Sequence, residues 1–213
     1  MVAIPSREVP SPRRDLRELL EINYKNRNLV HLTSGNVVPL LKNSIWLVVR
    51  GMVKLGAVSI HGDAMLLGLA GPNEPFGQPF TTVEAYEAEV LVDSDLLCIS
   101  TAEIQQSPQL AIALVDAIAI RYRQAELMLA LLGLKRVDER VCGFLELLAQ
   151  DYGQPCSAGL RLSVKLTHQE IASALSTTRV TVTRVIGQLR NEGWLTLDTD
   201  RHLVISHLPK IMC

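Results

Sequence analysis

Two short stretches of the C-terminal third, 167–175 and 178–192, place apolar residues at the three- and four-residue spacing of a helix. Thr167 followed by Glu170 is typical of a capping box that begins the first helix. Gly193 follows the second helix, where a residue that tolerates a left-handed conformation commonly ends a helix. The pattern therefore predicts two helices joined by a tight turn.

The outward face of the second predicted helix carries arginines, an amide and small side chains, but no acid. Its members are Arg179, Val180, Thr183, Arg184 and Gln188. A helix with such a face fits the major groove of DNA. Trp194–Leu197, a turn at 198–201 and His202–Ser206 predict a hairpin that forms a wing. Helix, turn, basic helix and hairpin in this order predict a winged helix-turn-helix DNA-binding domain over 134–213.

From residue 28 the pattern changes to short β-branched runs separated by turn signals. The signals are Ser34–Gly35, Arg50–Gly51, His61–Asp63 and a loop at 72–77, and 82–100 supplies the closing strands. Regular strands of this kind imply an antiparallel roll or barrel. We expect an N-terminal arm and β-roll over 1–106, whose interior either holds a small ligand or is filled by side chains.

The longest predicted helix, Ser107–Gly133, begins with a capping serine and a proline. One apolar face follows alternating steps of four and three, a heptad seam suited to a parallel dimer. The seam consists of Ala111, Val115, Ile118, Tyr122, Ala125, Leu129 and Leu132. A second apolar face is expected to contact the roll of the same subunit; the alternative is one wide core-facing stripe. This second face consists of Leu110, Leu114, Ala117, Met128 and Leu131.

Arg121 and Glu126 take the g and e positions of the heptad, a spacing that suits a salt bridge between two subunits. Arg121 also borders the roll-facing stripe, so a bound anion is within its expected reach. A hinge is predicted at Gly133–Lys135, where the seam stops and another amphipathic helix begins. The inward residues of that helix are Val137, Val141, Phe144, Leu145 and Leu148. Asp151–Ser163 is expected to form a polar turn and one short strand.

Composition narrows the class of protein. The 213 residues suffice for two small domains, and 48% hydrophobic with 20% charged residues is typical of globular proteins. A net charge of −1 argues against indiscriminate nucleic-acid binding. We find no apolar run of about 20 residues and no signal peptide, so we expect a cytoplasmic protein with no membrane partner. Residues 1–14 should form a loose arm and Asp15–Tyr24 a short helix.

Catalytic and metal chemistry is not expected. Neither the four cysteines nor the five histidines have the spacing of a metal site, and there is no phosphate-binding loop or nucleophile elbow. The sequence therefore predicts no enzyme, no catalytic residue and no metal.

These elements resemble the CRP/FNR superfamily of transcription regulators over nearly the whole chain. The matching residues are Gly35, VVRGMVKL at 48–55, Phe76–Gly77, RVDERVCGFL at 136–145 and the helix-turn-helix at 166–195. TRVTVTR at 178–184 is most similar to the cyanobacterial global nitrogen regulators. The resemblance implies an α+β protein with a cyclic-nucleotide-binding-like β-roll, a dimerisation helix over 107–133 and a winged helix-turn-helix. It also implies a homodimer that binds palindromic double-stranded DNA, contacts RNA polymerase and holds an effector between roll and long helix.

The resemblance places the DNA contacts at the start of each helix of the helix-turn-helix. These residues are Thr167, His168, Gln169, Thr178, Arg179, Val180, Thr183 and Arg184. Val180 stands where the cyclic-AMP-dependent relatives carry a glutamate that accepts from cytosine. A valine packs instead, most favourably on a thymine methyl, so we expect GTA-like half-sites and not TGTGA.

The resemblance also gives the candidates for an effector pocket: Phe76, Gly77, Gln78, Arg121 and Glu126. Cyclic AMP is not expected, because residues 78–89 contain three acids and lack the arginine that holds the phosphate. Glu84 replaces the roll arginine of the nitrogen regulators, so 2-oxoglutarate should bind poorly or not at all. The N-terminal cysteines of the iron–sulfur members are missing, and neither an iron–sulfur cluster nor haem is expected. The effector is left open, and a dimer without one is an alternative.

A second class of function also stays open from the sequence. In it, the protein is a β-roll interaction module whose winged helix binds another protein. Affinity for DNA that falls steeply with rising salt would distinguish the regulator from this module.

Overall fold

The structure, a computed structural model, describes residues 28–206 of the chain. The expected arm at 1–14 and the helix Asp15–Tyr24 lie outside these described residues. The chain divides into two units, and the division falls after Arg123, inside the longest helix. Each unit is described separately below.

The first unit contains an antiparallel sheet that confirms the predicted roll. Its strands are β1 (Val30–Leu32), β2 (Ser44–Val58), β3 (Ala64–Ala70), β4 (Pro75–Phe76) and β5 (Tyr86–Ser100). The strand order is β1-β5-β2-β3, and β4 pairs with the start of β2. One face of the sheet is buried in a core that includes Val48, Val53, Leu55, Val90 and Leu96. At the start of β2 and the end of β5 consecutive residues are apolar, because the other face of the sheet is covered there as well.

β2 continues through Arg50 and Gly51, where the sequence predicts a turn. The register against β5 shifts on both sides of Arg50, so these residues form a β-bulge. Gly51 has a φ of +94°, and a Cβ at this position would overlap Ser94 and the carbonyl of Asp93. The turn prediction at Arg50–Gly51 is wrong, because this glycine serves the close approach of two strands.

Two helices follow β5: α1 (Thr101–Gln106) and α2 (Pro108–Leu132). The periodicity does not predict α1, although Ser100 and Glu103 form the capping box that begins it. α2 starts where the serine–proline pair predicts. It packs on the sheet through a cluster that consists of Leu110, Ala113, Leu114, Ala117, Ile45, Leu47, Leu97 and Ile99. The predicted roll-facing stripe is therefore correct over the first three turns of the helix.

The second unit is built around α3 (Val137–Tyr152), α4 (His168–Ala174) and α5 (Arg179–Asn191). The predicted inward face of α3 is buried at four of its five positions, and Val137 is half-buried. A four-stranded antiparallel sheet completes the unit, with the order β6-β7-β9-β8. Its strands are β6 (Gly153–Cys156), β7 (Gly159–Leu162), β8 (Leu195–Leu197) and β9 (Leu203–Ile205).

The wing sheet is larger than the sequence predicts. Asp151–Ser163 contains the hairpin β6–β7, where the pattern predicts a polar turn and one strand. Gly153–Cys156 reads Gly-Gln-Pro-Cys and lacks β-branched or aromatic residues, so this strand has no signal in the sequence. β7 pairs with β9, which joins the extra hairpin to the predicted wing hairpin β8–β9.

Two further features concern the whole described chain. Within residues 28–206 no helix has the length and hydropathy needed to cross a membrane. Cys98, Cys142 and Cys156 are not in disulfide bonds, and Cys213 lies outside the described residues.

Candidate DNA-binding surface

The first helix of the helix-turn-helix, α4, begins at a capping box. The hydroxyl of Thr167 accepts a hydrogen bond from the Glu170 backbone N–H at 3.1 Å. The carboxylate of Glu170 in turn accepts from the Thr167 backbone N–H at 2.8 Å. These bonds satisfy backbone donors that a helix start leaves open. Thr167 and Gln169 are exposed, and His168 is half-buried.

Hydrogen bonds from the turn itself and from α3 stabilise the turn between α4 and α5. Ser176 takes a φ of +48°, and the backbone N–H of Thr177 donates to the carbonyl of Ala172 at 3.0 Å. Arg140, on α3, donates through Nη1 to the carbonyl of Leu175 at 3.0 Å. The turn that orients the second helix is therefore tied to a third helix, a contact between residues far apart in the sequence.

The second helix, α5, has a buried face and an exposed face. Thr178 caps it by accepting from the Thr181 backbone N–H at 3.2 Å. The buried residues are Val182, Val185, Ile186 and Leu189, as the periodicity predicts. The exposed residues include Arg179, Val180, Thr183, Arg184 and Gln188.

The exposed face of α5 is cationic. Val180, which lies between Arg179 and Arg184 in the sequence, is 78% exposed. Its apolar side chain makes no hydrogen bond with the water around it. α5 contains no acidic residue. Among the described residues, no hydrogen bond or ion pair engages the guanidinium groups of Arg179 and Arg184. Both groups are therefore available to a ligand.

A hydrogen-bond chain joins α4 to α5 on the same surface. Nδ1 of His168 lies 2.8 Å from Oγ1 of Thr183. The Thr183 hydroxyl also lies 2.9 Å from the backbone carbonyl of Arg179, one turn earlier on α5. Two predicted contact residues, His168 and Thr183, are thus bonded to each other.

The wing contains a charged cluster that the sequence pattern does not predict. Nε of Arg161, on β7, lies 2.5 Å from the carboxylate of Asp198, and its Nη2 lies 2.7 Å from Nδ1 of His202. The hydrogen bond from Arg161 lowers the pKa of Asp198 to about 2. Ligand atoms of Asp198, Asp200 and His202 lie within 4.8 Å of one another, but the guanidinium of Arg161 already contacts all three side chains.

The effector-pocket candidates are divided between the two units. Phe76 and Gly77 are buried at the end of β4, and Gln78 begins a single 3-10 turn, Gln78–Phe80. Arg121 donates through Nη1 to the backbone carbonyl of Leu69 on β3. Burial raises the pKa of Tyr86, and the positive charge of Arg121 partly offsets this rise. Glu126 is exposed and belongs to the second unit.

The predicted seam on α2 stays uncovered in this single chain. Val115, Tyr122 and Leu129 are 64%, 63% and 69% exposed, and Ile118 is 38% exposed. Ala125 is exposed, while Ala111 and Leu132 are half-buried. An apolar row of this length along one helix is rare on the surface of a monomer.

The antiparallel roll, the long helix and the winged helix-turn-helix together define a DNA-binding transcription regulator. Residues 139–212 match the model of the Crp-like helix-turn-helix domain. The global nitrogen regulator of Nostoc sp. is 30% identical over 162 residues, which cover 72% of this chain and 73% of that protein. The regulatory protein CysR of Synechococcus elongatus is 29% identical over 174 residues, 80% of each chain.

A solved structure gives the same result for the fold. A transcriptional regulator of the CRP/FNR family from Thermus thermophilus superposes with a TM-score of 0.63 at 27% identity, covering 87% of this chain and 96% of that chain. The chain belongs to the CRP/FNR family of transcription regulators. The relatives named here are regulators of transcription and not enzymes.

Proposed function

We propose that the protein is a homodimer that binds a palindromic DNA site with GTA-like half-sites and regulates transcription there. The observation that carries this proposal is the outward face of α5. It presents Arg179, Val180 and Arg184 to solvent, with no acid on the helix. A negatively charged groove is the natural partner of such a face.

The composition of this face supports a particular base preference. An arginine fork matches O6 and N7 of guanine, and Arg179 lies at the first position of α5. Val180 next to it has no hydrogen-bonding side chain, so it can only make an apolar contact, which thymine offers through its methyl group. A guanine beside a thymine follows, as in a GTA half-site. Arg184, five residues on, is left for a neighbouring base or a phosphate.

The uncovered seam of α2 supports the dimer. Its apolar residues would be buried if a second copy of the helix lay parallel to it, which is the geometry that a heptad repeat favours. In such a dimer the two α5 helices are related by a twofold axis. They therefore require a palindromic site, with half-site centres about one helical turn apart. In this proposal 1–106 acts as the sensor-type domain, 107–133 as the dimerisation helix and 134–213 as the DNA-binding domain.

The family also supports RNA polymerase as a second protein partner and the cytoplasm as the place of action. The principal candidate for binding an anionic effector is the guanidinium of Arg121. It donates one N–H group to the carbonyl of Leu69 and keeps its positive charge. A dimer that binds DNA without an effector is the alternative.

A fluorescence-anisotropy titration tests the proposal. The probes are duplexes with GTA palindromes, TGTGA palindromes and scrambled sequence, each titrated over a range of salt concentrations. We expect the GTA duplex to bind most tightly, and all affinities to fall steeply as salt rises. Preference for TGTGA would contradict the assignment of Val180. Affinity that does not respond to salt would contradict DNA binding by this surface altogether.

A further inference from the structure

We infer that Thr183 fixes a proton on Nδ1 of His168, so that His168 can donate a hydrogen bond to DNA only when its ring is protonated. DNA affinity then rises as pH falls. This inference rests on the proposed function, because it takes the surface formed by α4 and α5 as the DNA-binding surface. Thr183 acts in it as a positioning residue for His168.

The number of hydrogen atoms available determines which atom donates in each contact of the Thr183 hydroxyl. Thr183 Oγ1 lies 2.8 Å from His168 Nδ1 and 2.9 Å from the carbonyl oxygen of Arg179. Each contact is at hydrogen-bonding distance and requires one hydrogen between the two heavy atoms. The hydroxyl has only one hydrogen, and the carbonyl of Arg179 has none. The hydroxyl therefore donates to Arg179, as threonines within helices commonly do, and Nδ1 of His168 donates to the hydroxyl.

The bond to Thr183 also determines the hydrogen-bonding role of the other ring nitrogen of His168, Nε2. A neutral imidazole carries one hydrogen, and the bond to Thr183 holds it on Nδ1. Nε2 is then an acceptor with a lone pair. No described residue hydrogen-bonds Nε2, and His168 is only half-buried. A phosphate oxygen is also an acceptor, so the neutral ring repels it. Protonation adds a hydrogen to Nε2 and leaves the Thr183 bond intact.

Protonation of the His168 ring depends on the charge around it. The charged side chains on α4, on the helix packed against it and on the preceding loop are Lys165, Glu170, Arg179, Arg184 and Arg190. The carboxylate of Glu170 already accepts two hydrogen bonds from Thr167. A DNA phosphate beside the ring favours the charged form of His168. Proton uptake at Nε2 therefore accompanies binding.

The main experiment measures the Kd of the full-length protein for its palindromic duplex between about pH 6 and pH 8 at constant salt. One proton taken up per half-site is two protons per dimer, which strengthens binding by up to about 100-fold per pH unit. Because a histidine titrates through only part of this range, we expect the Kd to be at least about tenfold lower at pH 6 than at pH 8. A Kd that does not change with pH would overturn the inference while leaving the proposed function intact.

Two substitutions of His168 separate its nitrogens. His168→Asn keeps a donor near the position of Nδ1 but has no outward group, so binding should be weak at every pH. His168→Gln supplies an uncharged donor near the position of Nε2, so binding should be stronger than for His168→Asn and equally independent of pH. If either variant kept the pH dependence of the unaltered protein, another group would be responsible.

Substitutions of Thr183 test its positioning role. Thr183→Val keeps the shape but removes the acceptor, so neutral His168 is free to carry its hydrogen on Nε2. We expect the ratio of Kd values between pH 8 and pH 6 to shrink to about threefold or less. Thr183→Ser restores the acceptor and should restore the full ratio. A purely structural role for Thr183 would instead weaken binding by the same factor at both pH values.

A measurement on the free protein tests the position of the hydrogen on His168 without DNA. Histidine-selective ¹⁵N NMR distinguishes a protonated from an unprotonated ring nitrogen, and His168→Gln identifies the signal. At high pH we expect Nδ1 of His168 to carry the hydrogen, and Thr183→Val to lose this preference. A hydrogen on Nε2 in the unaltered protein would overturn the inference. Absence of binding to any duplex would overturn the proposed function and the pH coupling together, whatever the NMR result.

Discussion

At the scale of single residues, recognition of DNA depends on which side chains of α5 reach the bases. Arg179 and Val180 are adjacent and exposed at the start of the helix, where a recognition helix enters the groove. Lys165, in the loop before α4, is also exposed but lies outside the recognition helix. Base contacts set specificity, whereas phosphate contacts add affinity for any sequence. The two kinds of contact therefore have different experimental signatures.

We predict that Arg179→Ala relaxes the preference for guanine in each half-site. Loss of a bidentate arginine–guanine contact removes about 1–3 kcal/mol of discrimination. Competitive binding to duplexes with substituted guanines measures this loss directly. Lys165→Ala is the matched control, and it should weaken all duplexes alike and reduce the salt slope by about one unit. An unchanged base preference in Arg179→Ala would place the reading of guanine elsewhere.

The sequence predicted the positions of these residues better than their interactions. The eight expected contact residues all lie on α4, α5 and their caps, because capping signals and periodicity act locally. The bond between His168 and Thr183 and the contact of Arg140 with Leu175 were not predicted. Both join different helices, and their geometry depends on how those helices pack. Periodicity in one helix contains no such information.

At the scale of elements, the strongest predictions came from stop and start signals. α2 and α4 begin at the serine and threonine caps that the sequence indicates, and α5 begins within one residue of its predicted start. The sequence-based predictions failed at the bulge around Gly51 and at strand β6, and each failure has a physical cause. A glycine between β-branched runs has the same local signal in a turn and in a bulge, and only the partner strand distinguishes them. β6 is held by its pairing with β7 and not by its own propensity.

We predict that Ile118→Glu converts the dimer to a monomer. Ile118 lies at the middle of the exposed seam of α2, and a carboxylate at that position would be desolvated in the interface. Sedimentation velocity measures the change in mass. Gln109→Glu, an exposed position of the same helix away from the seam, adds the same charge and should remain dimeric. An intact dimer in Ile118→Glu would show that another surface forms the interface.

We predict that the wing loses stability in acid through Asp198. Its pKa lies at about 2, below the ordinary value of 3.8, so the carboxylate contributes stability that is complete above about pH 4. This contribution is lost as the pH falls from about 4 to about 2. The melting temperature of the unaltered protein should therefore fall more steeply in this range than that of Asp198→Asn. Parallel curves would contradict the pairing of Asp198 with Arg161.

At the scale of the whole molecule, the charges of the first unit determine how well a dicarboxylate would bind there. Arg121, on α2, donates through Nη1 to the carbonyl of Leu69 on β3. Glu84, in the position expected for a second cation, is exposed and negative. A dicarboxylate would then have one cation, Arg121, and would meet the negative charge of Glu84 in place of the expected arginine. This arrangement does not favour binding.

We therefore predict that 2-oxoglutarate binds weakly or not at all. Isothermal titration calorimetry of the unaltered protein should show little heat, and the ligand should leave DNA affinity unchanged. Glu84→Arg replaces a repelling charge with an attracting one and should improve binding. Tight binding to the unaltered protein with no gain in the variant would show that Glu84 does not face the ligand.

The pairing of β2 with β5 also has a consequence for biosynthesis. The ladder runs from Ser44 opposite Ser100 to Ala57 opposite Tyr86, so every rung joins distant parts of the chain. Such high contact order makes folding slow, because a long loop must close before the pairing stabilises it. During synthesis on the ribosome, β2 emerges well before β5. Its apolar side chains stay exposed until β5 has been made. We expect the nascent first unit to depend on chaperones until β5 has been made.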